Sequence, residues 1–270
     1  MVDIINPQLG QTVLDSACGT GGFLVCALEH LKQQATTPDE LTALERQLAG
    51  VEKKPLPHML CITNLFLHQV NAPSVARDNA MTRQPYRSYT EKDRVDVIIT
   101  NPPFGGTEEP GVARGFPAHF QTKETADLFL VMIMQLLKED GQGAIVLPDG
   151  SLFGEGVKTR IKERLRETCN LHTIVRLPNG VFNPYTGITT NLLFFRKGEP
   201  TMEVWYFEHP IPSDRKQYSK TRPITIDEFA LEKAWWNARE ENEHAWRGAT
   251  IWTLRIHTAL MRSWVTRLSC

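Results

Sequence analysis

The sequence predicts an α/β protein: an open, mostly parallel sheet with helices on both of its faces. Three observations lead there. Short apolar runs alternate with helical patterns from Thr12 to Leu177, the order produced by strands joined through crossover helices. One run, Thr12–Ser16, passes directly into Gly19, Gly21 and Gly22 and then into a helical pattern. Another, Val95–Thr100, reads VDVIIT, a β-branched run broken only by Asp96, as expected of a strand buried on both faces. At 270 residues and 41% hydrophobic composition, the chain can bury one sizeable core and carry an appendage.

Taken in order, the first helix runs from the glycines to about Gln33, and a second covers Asp39–Gln47. Leu48–Glu52 is a short strand ending in an acid. Pro55–Gln69 is a helix opened by prolines, which cost nothing at positions whose N–H has no helical partner. Ser74–Arg77 is a strand, and Met81–Asp93 a polar surface loop in which Arg83, Tyr86, Arg87 and Tyr89 are candidate nucleic-acid contacts. Gly105–Thr122 is long and rich in Gly and Pro, as expected of an active-site lid, with Arg114, His119 and Phe120 as candidate substrate contacts. Lys123–Glu139 is apolar nearly all round and reads as a buried helix stopped by Gly141. Strands follow at Gln142–Pro148, Leu171–Leu177 and Thr190–Arg196, with a charged, solvated helix at Lys158–Glu167 and a second Gly/Pro/aromatic loop, PNGVFNPYTGITT. Beyond Gly198 the composition changes, dividing the chain into 1–200 and an extension, 201–270. In the extension, Met202–Phe207 reads as a strand and Ile226–Trp246 as a charged helix docking through Trp235, Trp236 and Trp246; Gly248–Cys270 has no acid and no clear period.

Composition narrows the function classes. Net charge is −1, so any nucleic-acid partner must be met by local charge or through another subunit. The five cysteines form no CxxC pair and read as buried thiols of a reducing compartment, Cys18 in the glycine loop excepted. His58 and His68 lack ligand partners at useful spacing, so no metal site is expected. No apolar run is long enough to span a bilayer and no signal-peptide pattern opens the chain, which predicts a soluble, cytoplasmic protein.

The chemistry concentrates at strand ends. Pro102 and Pro103 have no N–H and fix φ, so they hold Asn101 extended at the mouth of the sheet, and the two prolines and Phe104 form a rigid presenter. Such an arrangement suits a planar substrate whose amino group is conjugated to a ring or carbonyl: the Asn101 side chain and the Pro102 carbonyl accept its hydrogens, and Phe104 stacks on it. The glycine loop departs from a dinucleotide fingerprint, since Leu24 stands where the third glycine belongs and no P-loop lysine follows, so a compact cofactor lying on glycine backbone is favoured over a pyrophosphate. Glu52 can accept both hydroxyls of a ribose. An ordinary strand-ending turn at Asn101 and a solvated acid at Glu52, beside Lys53 and Lys54, are the plain alternatives. Against them, the glycine loop, Glu52, Asn79 and Asn101 all fall at strand carboxyl ends, where open α/β sheets bind ligands.

The stretches DSACGTGGFL, TNPPF and LPNGVFNPYTGITTNLLFF closely resemble the modification subunit of bacterial type I restriction-modification systems, an adenine-N6 DNA methyltransferase using S-adenosylmethionine; the likeness covers about Val13 to Trp246. The resemblance implies a Rossmann-like S-adenosylmethionine-dependent methyltransferase fold with a C-terminal helical extension. It implies that Asp15, Ala17, Gly19, Thr20 and Gly21 border the cofactor's methionine part, that Glu52 holds its ribose, and that Asp78 or Asn79 faces its adenine. Asn101, Pro102, Pro103 and Phe104 would hold a target adenine flipped from the duplex. The implied partners are DNA, a specificity subunit and a restriction (motor) subunit, with no metal and no membrane. The family's N-terminal helical domain and a Thr-Pro cofactor motif are not found ahead of the first strand, so the chain reads as a fragment expected to bind cofactor weakly on its own. A methyltransferase acting on protein glutamine or RNA shares the amino-group chemistry, and a non-catalytic piece is the rival of another class; cofactor binding separates the last.

Overall fold

The computed structural model describes residues 1–249. In chain order the elements are α1 (Val2–Ile5), β1 (Val13–Asp15), α2 (Gly22–Lys32), α3 (Pro38–Gln47), β2 (Leu48–Glu52), α4 (Pro55–Leu67), β3 (Ser74–Arg77), β4 (Val95–Thr100), α5 (Thr125–Leu136), β5 (Leu137–Pro148), α6 (Asp149–Phe153), α7 (Val157–Thr168), β6 (Cys169–Arg176), β7 (Thr190–Lys197), β8 (Glu203–Glu208), α8 (Ala230–Asn237) and β9 (Ala245–Ala249). The strands form one nine-stranded sheet in the order β3-β2-β1-β4-β5-β7-β6-β8-β9. From β3 to β5 all pairings are parallel; β7 is antiparallel to both of its neighbours, β8 is parallel to β6, and β9 is antiparallel to β8.

Alternation along the buried strands sends side chains to two cores. Leu14, Ile98, Ile145 and Leu193 face the side covered by α5 and α7, where Ile133 and Leu165 meet them. Val13, Val97, Ile99 and Phe194 face the side covered by α2 and α4, with Leu28, Leu65 and Trp235 of α8. Asp96, the one charged residue of β4, lies near the amino end of the strand: the Thr12 amide and hydroxyl each donate to its Oδ2 at 2.8 Å, and Lys138 Nζ donates to both oxygens at 2.9 Å. The acid thus laces β1, β4 and β5 together at the edge opposite their carboxyl ends.

The structure departs from the sequence-based expectation at four places. The apolar helix ends at Leu136, and Leu137 already pairs with Val95 as the start of β5. Gly141 therefore does not stop a helix; it sits at an irregularity in the β4–β5 pairing, where a Cβ would lie 2.9 Å from the Lys138 carbonyl and 3.0 Å from that of Asp96. The C-terminal extension is helical only to Asn237. Asn242 Oδ1 then takes the amides of His244 and Ala245 at 2.8 and 2.9 Å, turning the chain into β9, whose Trp246 stacks on Tyr206 of β8. The basic run on α7 is not simply a solvated face: Lys158 bonds Glu124 at 2.5 Å, and Lys162 caps the carbonyls of Leu152 and Gly154. Cys26 is exposed, whereas Cys18 is buried with its sulfur 3.8 Å from that of Cys61. Among the described residues no helix is long and apolar enough to cross a membrane. Of the tail that gave no pattern, Gly248 and Ala249 belong to β9; the rest, Thr250–Cys270, lies outside the described residues.

Candidate active site

The chain steps outward from β1 to β2 and β3, then returns to place β4 on the other side of β1. Beyond the carboxyl ends of β1 and β4, where the direction of strand order reverses, an open α/β sheet has its natural ligand crevice. Asp15 ends β1 there and Asn101 follows β4.

Thr100 Oγ1 donates to Asp15 Oδ1 at 2.8 Å, and the Ala17 amide donates to the same oxygen at 3.1 Å. Asp15 is 2% exposed, and burial pushes its carboxyl up to about 7 against the two hydrogen bonds, which favour the ionised form. Such an acid is poised to ionise when a cation arrives. At the end of β2, Glu52 Oε2 accepts from the Gly19 amide at 3.0 Å and Oε1 from the Lys54 amide at 2.7 Å. These bonds orient the carboxylate and pin the glycine loop to the neighbouring strand.

The loop itself turns through Gly21, with φ of +87°, into α2. A Cβ at Gly21 would lie 2.8 Å from Cys61 Sγ on α4, so a side chain here collides with the supporting helix. At Gly19 a Cβ would meet nothing within 4 Å, leaving an open cradle on the loop's outer side. Gly21→Val is expected to destabilise the fold by about 2 kcal/mol or more, through left-handed strain and overpacking together; urea denaturation measures it, and unchanged stability would contradict the packing assignment. Thr20 is exposed, with its carbonyl accepting from Asn64 Nδ2.

Asp78 and Asn79 follow β3 on the same edge. Asn79 is committed to the protein, its Oδ1 accepting from the Met81 amide at 3.0 Å and its Nδ2 donating to Glu108 at 3.4 Å. Asp78 is exposed and engages the Asn79 amide through Oδ1, which leaves its carboxylate the better acceptor of the two toward the crevice.

Asn101 presents a side-chain oxygen that is buried and has no hydrogen-bond partner among the described residues. Pro102 behind it is buried and Pro103 exposed. The Phe104 ring is half-buried and meets Phe182 edge-on, centroids 5.7 Å apart at 73°. Phe182 belongs to the 178–189 loop, 78 residues away in sequence from Phe104 and seen from sequence only as a Gly/Pro/aromatic stretch. Two more residues of the site carry no local signal. Thr100 is the hydroxyl that joins the β1 and β4 ends. Glu108, at the root of the lid, takes bonds from Asn79 and Thr125 and lies 3.8 Å from Lys53. Conversely, Phe120 is 4% exposed and belongs to the core, and the half-buried Tyr86 packs on Phe116. His119 lies on Phe120 and its carbonyl accepts from Arg160.

A parallel half-sheet with its switch point at β1/β4, closed by an antiparallel β7 slotted beside β5, is the fold of the S-adenosylmethionine-dependent methyltransferases. A Listeria monocytogenes protein described as a class I member of that group superposes with a TM-score of 0.60 over 88% of this chain and 67% of its own at 17% identity, a likeness of fold alone. The chain belongs to the N-6 DNA methylase family, whose model matches residues 1–255. It is 57% identical over 256 residues to the type I restriction enzyme EcoEI methylase subunit of Escherichia coli, covering 92% of this chain and 52% of that protein. It is also similar to a crystal structure described as a type I modification subunit from Vibrio vulnificus YJ016, with 48% identity and a TM-score of 0.89 over 92% of this chain and 53% of that one. The chain thus spans about half the length of the relatives it matches.

Proposed function

We propose that this chain carries the catalytic site of a type I modification subunit and methylates adenine N6 in DNA, with S-adenosylmethionine as donor. The observation that carries the reading is the buried Asn101 oxygen at the switch point, without a partner among the described residues, an acceptor held out of water. The amino nitrogen of adenine is a poor nucleophile because its lone pair is shared with the ring. Asn101 Oδ1 and the Pro102 carbonyl accept its two hydrogens and favour the pyramidal form, while Phe104 holds the ring face. Reaching this position requires the base to leave the duplex.

The donor's fit is supported by the cradle at Gly19, the buried Asp15 carboxyl and the oriented Glu52 carboxylate. Asp15, Ala17, Gly19, Thr20 and Gly21 would border its methionine part, Glu52 its ribose, and Asp78, in preference to Asn79, its adenine. S-adenosylmethionine, when bound, supplies an electrophilic sulfonium methyl group for the target nitrogen, whose displaced proton leaves to solvent. We assign catalysis to 1–200 and a bracing role to the extension. Its partners would be DNA, a specificity subunit that selects the site and a restriction subunit, all meeting in the cytoplasm.

The test is expression with a specificity subunit in a host lacking adenine methylation, followed by long-read sequencing of its DNA. N6-methyladenine at one recurring sequence is expected; unmethylated DNA from cells containing the assembled complex would overturn the reading. With the site so mapped, Phe104→Ala should weaken capture of the extruded base by about 1–3 kcal/mol, the value of one base–aromatic stack. A 2-aminopurine at the target position reports it, and an unchanged signal would remove Phe104 from the base pocket.

A further inference from the structure

Tyr185, on the 178–189 loop, is 91% exposed, yet the loop that carries it is firmly built. Tyr218, fully buried, donates its amide to the Asn179 carbonyl at 3.1 Å and accepts from Asn183 Nδ2 at 3.1 Å; its hydroxyl donates to Glu228 at 2.6 Å. Gly180 has φ of +81°, and a Cβ there would stand 2.2 Å from the Tyr218 carbonyl, so backbone packs directly on backbone. On its inner side the loop places Phe182 against Phe104. The Tyr185 amide donates to the Phe182 carbonyl at 2.8 Å, so the two aromatics lie on one tight turn, Phe182 packed inward and Tyr185 in solvent.

A tyrosine ring left in water contributes nothing to the core; Pro184 and Ile188 are exposed on the same loop, but Asn183, Thr186 and Gly187 break up the apolar surface there. A single aromatic face is enough for a nucleobase. Resting on the adenine-methylation reading above, we propose that Tyr185 enters the gap that the extruded adenine leaves in the duplex and stacks on the base that has lost its partner. The loop meets Phe104 through Phe182 and, on the same turn, holds the Tyr185 ring in solvent, where a duplex giving up its base to Asn101 can reach it. Side chains inserted between base steps offset the unstacking that extrusion requires. Tyr185 is thus a positioning residue: it acts on the extrusion equilibrium and touches neither donor nor acceptor atoms.

The experiment uses the assembled complex and two duplexes carrying 2-aminopurine at the mapped target, one with thymine opposite and one with an abasic site there. Tyr185→Ala should lower the extruded fraction by about tenfold on the first and by less than about twofold on the second, where there is no orphan base to stack on. Tyr185→Phe should restore the first, and calorimetric affinity for S-adenosylmethionine should be unchanged in both variants. Equal losses on the two duplexes, or no loss on either, would overturn the assignment, as would failure of Tyr185→Ala to assemble with the specificity subunit, which would make the ring a protein contact. If the wild-type complex leaves DNA unmethylated, it is the adenine-methylation reading that fails, and this inference falls with it; a methylating wild type with an indifferent Tyr185→Ala defeats the inference alone.

Discussion

Asn101→Ala should reduce methyl transfer by about two orders of magnitude or more while leaving affinity for S-adenosylmethionine nearly unchanged, because a preorganised acceptor acts mainly where charge develops in the transition state. The structure adds a second expectation. Since the Asn101 oxygen is buried with no partner among the described residues, removing it breaks no hydrogen bond there and relieves an unpaired polar atom. The variant should therefore be as stable as the wild type, or more stable by about 1 kcal/mol. Tritium transfer from labelled donor, paired with urea denaturation, tests both. Near-normal turnover would remove Asn101 from catalysis, and marked destabilisation would make it a structural residue.

Asp15→Asn is expected to weaken donor binding by about tenfold to a hundredfold, the worth of one hydrogen bond to a charged group. It should also abolish the pH dependence of that binding. With its carboxyl pushed up to about 7, Asp15 is largely protonated in mildly acidic solution and must lose its proton to meet a cationic amino group. Wild-type affinity should therefore rise with pH up to about neutrality and flatten above it, with proton release on binding detectable by calorimetry in buffers of different ionisation enthalpy. Stability runs the other way. An acid whose pKa is raised by folding binds its proton more tightly in the native state, so its contribution is full below the ordinary carboxylate range and is lost as pH rises through about 7. At alkaline pH, Asp15→Asn should melt higher than the wild type, because Asn keeps the Oδ1 acceptor that Thr100 and Ala17 use. A pH-independent wild-type affinity would show that Asp15 does not face the donor's amino group.

Much of this architecture is legible in sequence because its signals are local. The β4 run, the Pro55 helix start and the glycines ahead of α2 each declare themselves within a few residues, and strands alternating with helices leave few topologies open. The carboxyl-edge placement of Asp15, Glu52, Asn79 and Asn101 follows from those strands alone. Where the reading missed, a distant partner decided. Leu137 has helix-compatible neighbours but is taken by Val95 into the sheet, and Trp246 is drawn out of a helical pattern by stacking on Tyr206. Phe120 looks like a lid aromatic in sequence and is pulled into the core.

The sequence by itself determined the fold class and the order of the glycine loop and the Asn-Pro-Pro-Phe motif along it, since backbone preference and hydrophobic period are properties of short segments. Tertiary structure alone decided that Thr100 bonds Asp15, that burial pushes that acid's pKa up to about 7, that a side chain at Gly21 would collide with Cys61, and that Phe182 stands beside Phe104 with Tyr185 on the same turn. The reason is physical: burial, close packing and the desolvation of a charge are set by what the rest of the chain brings to a residue, and no short stretch of sequence contains its own surroundings.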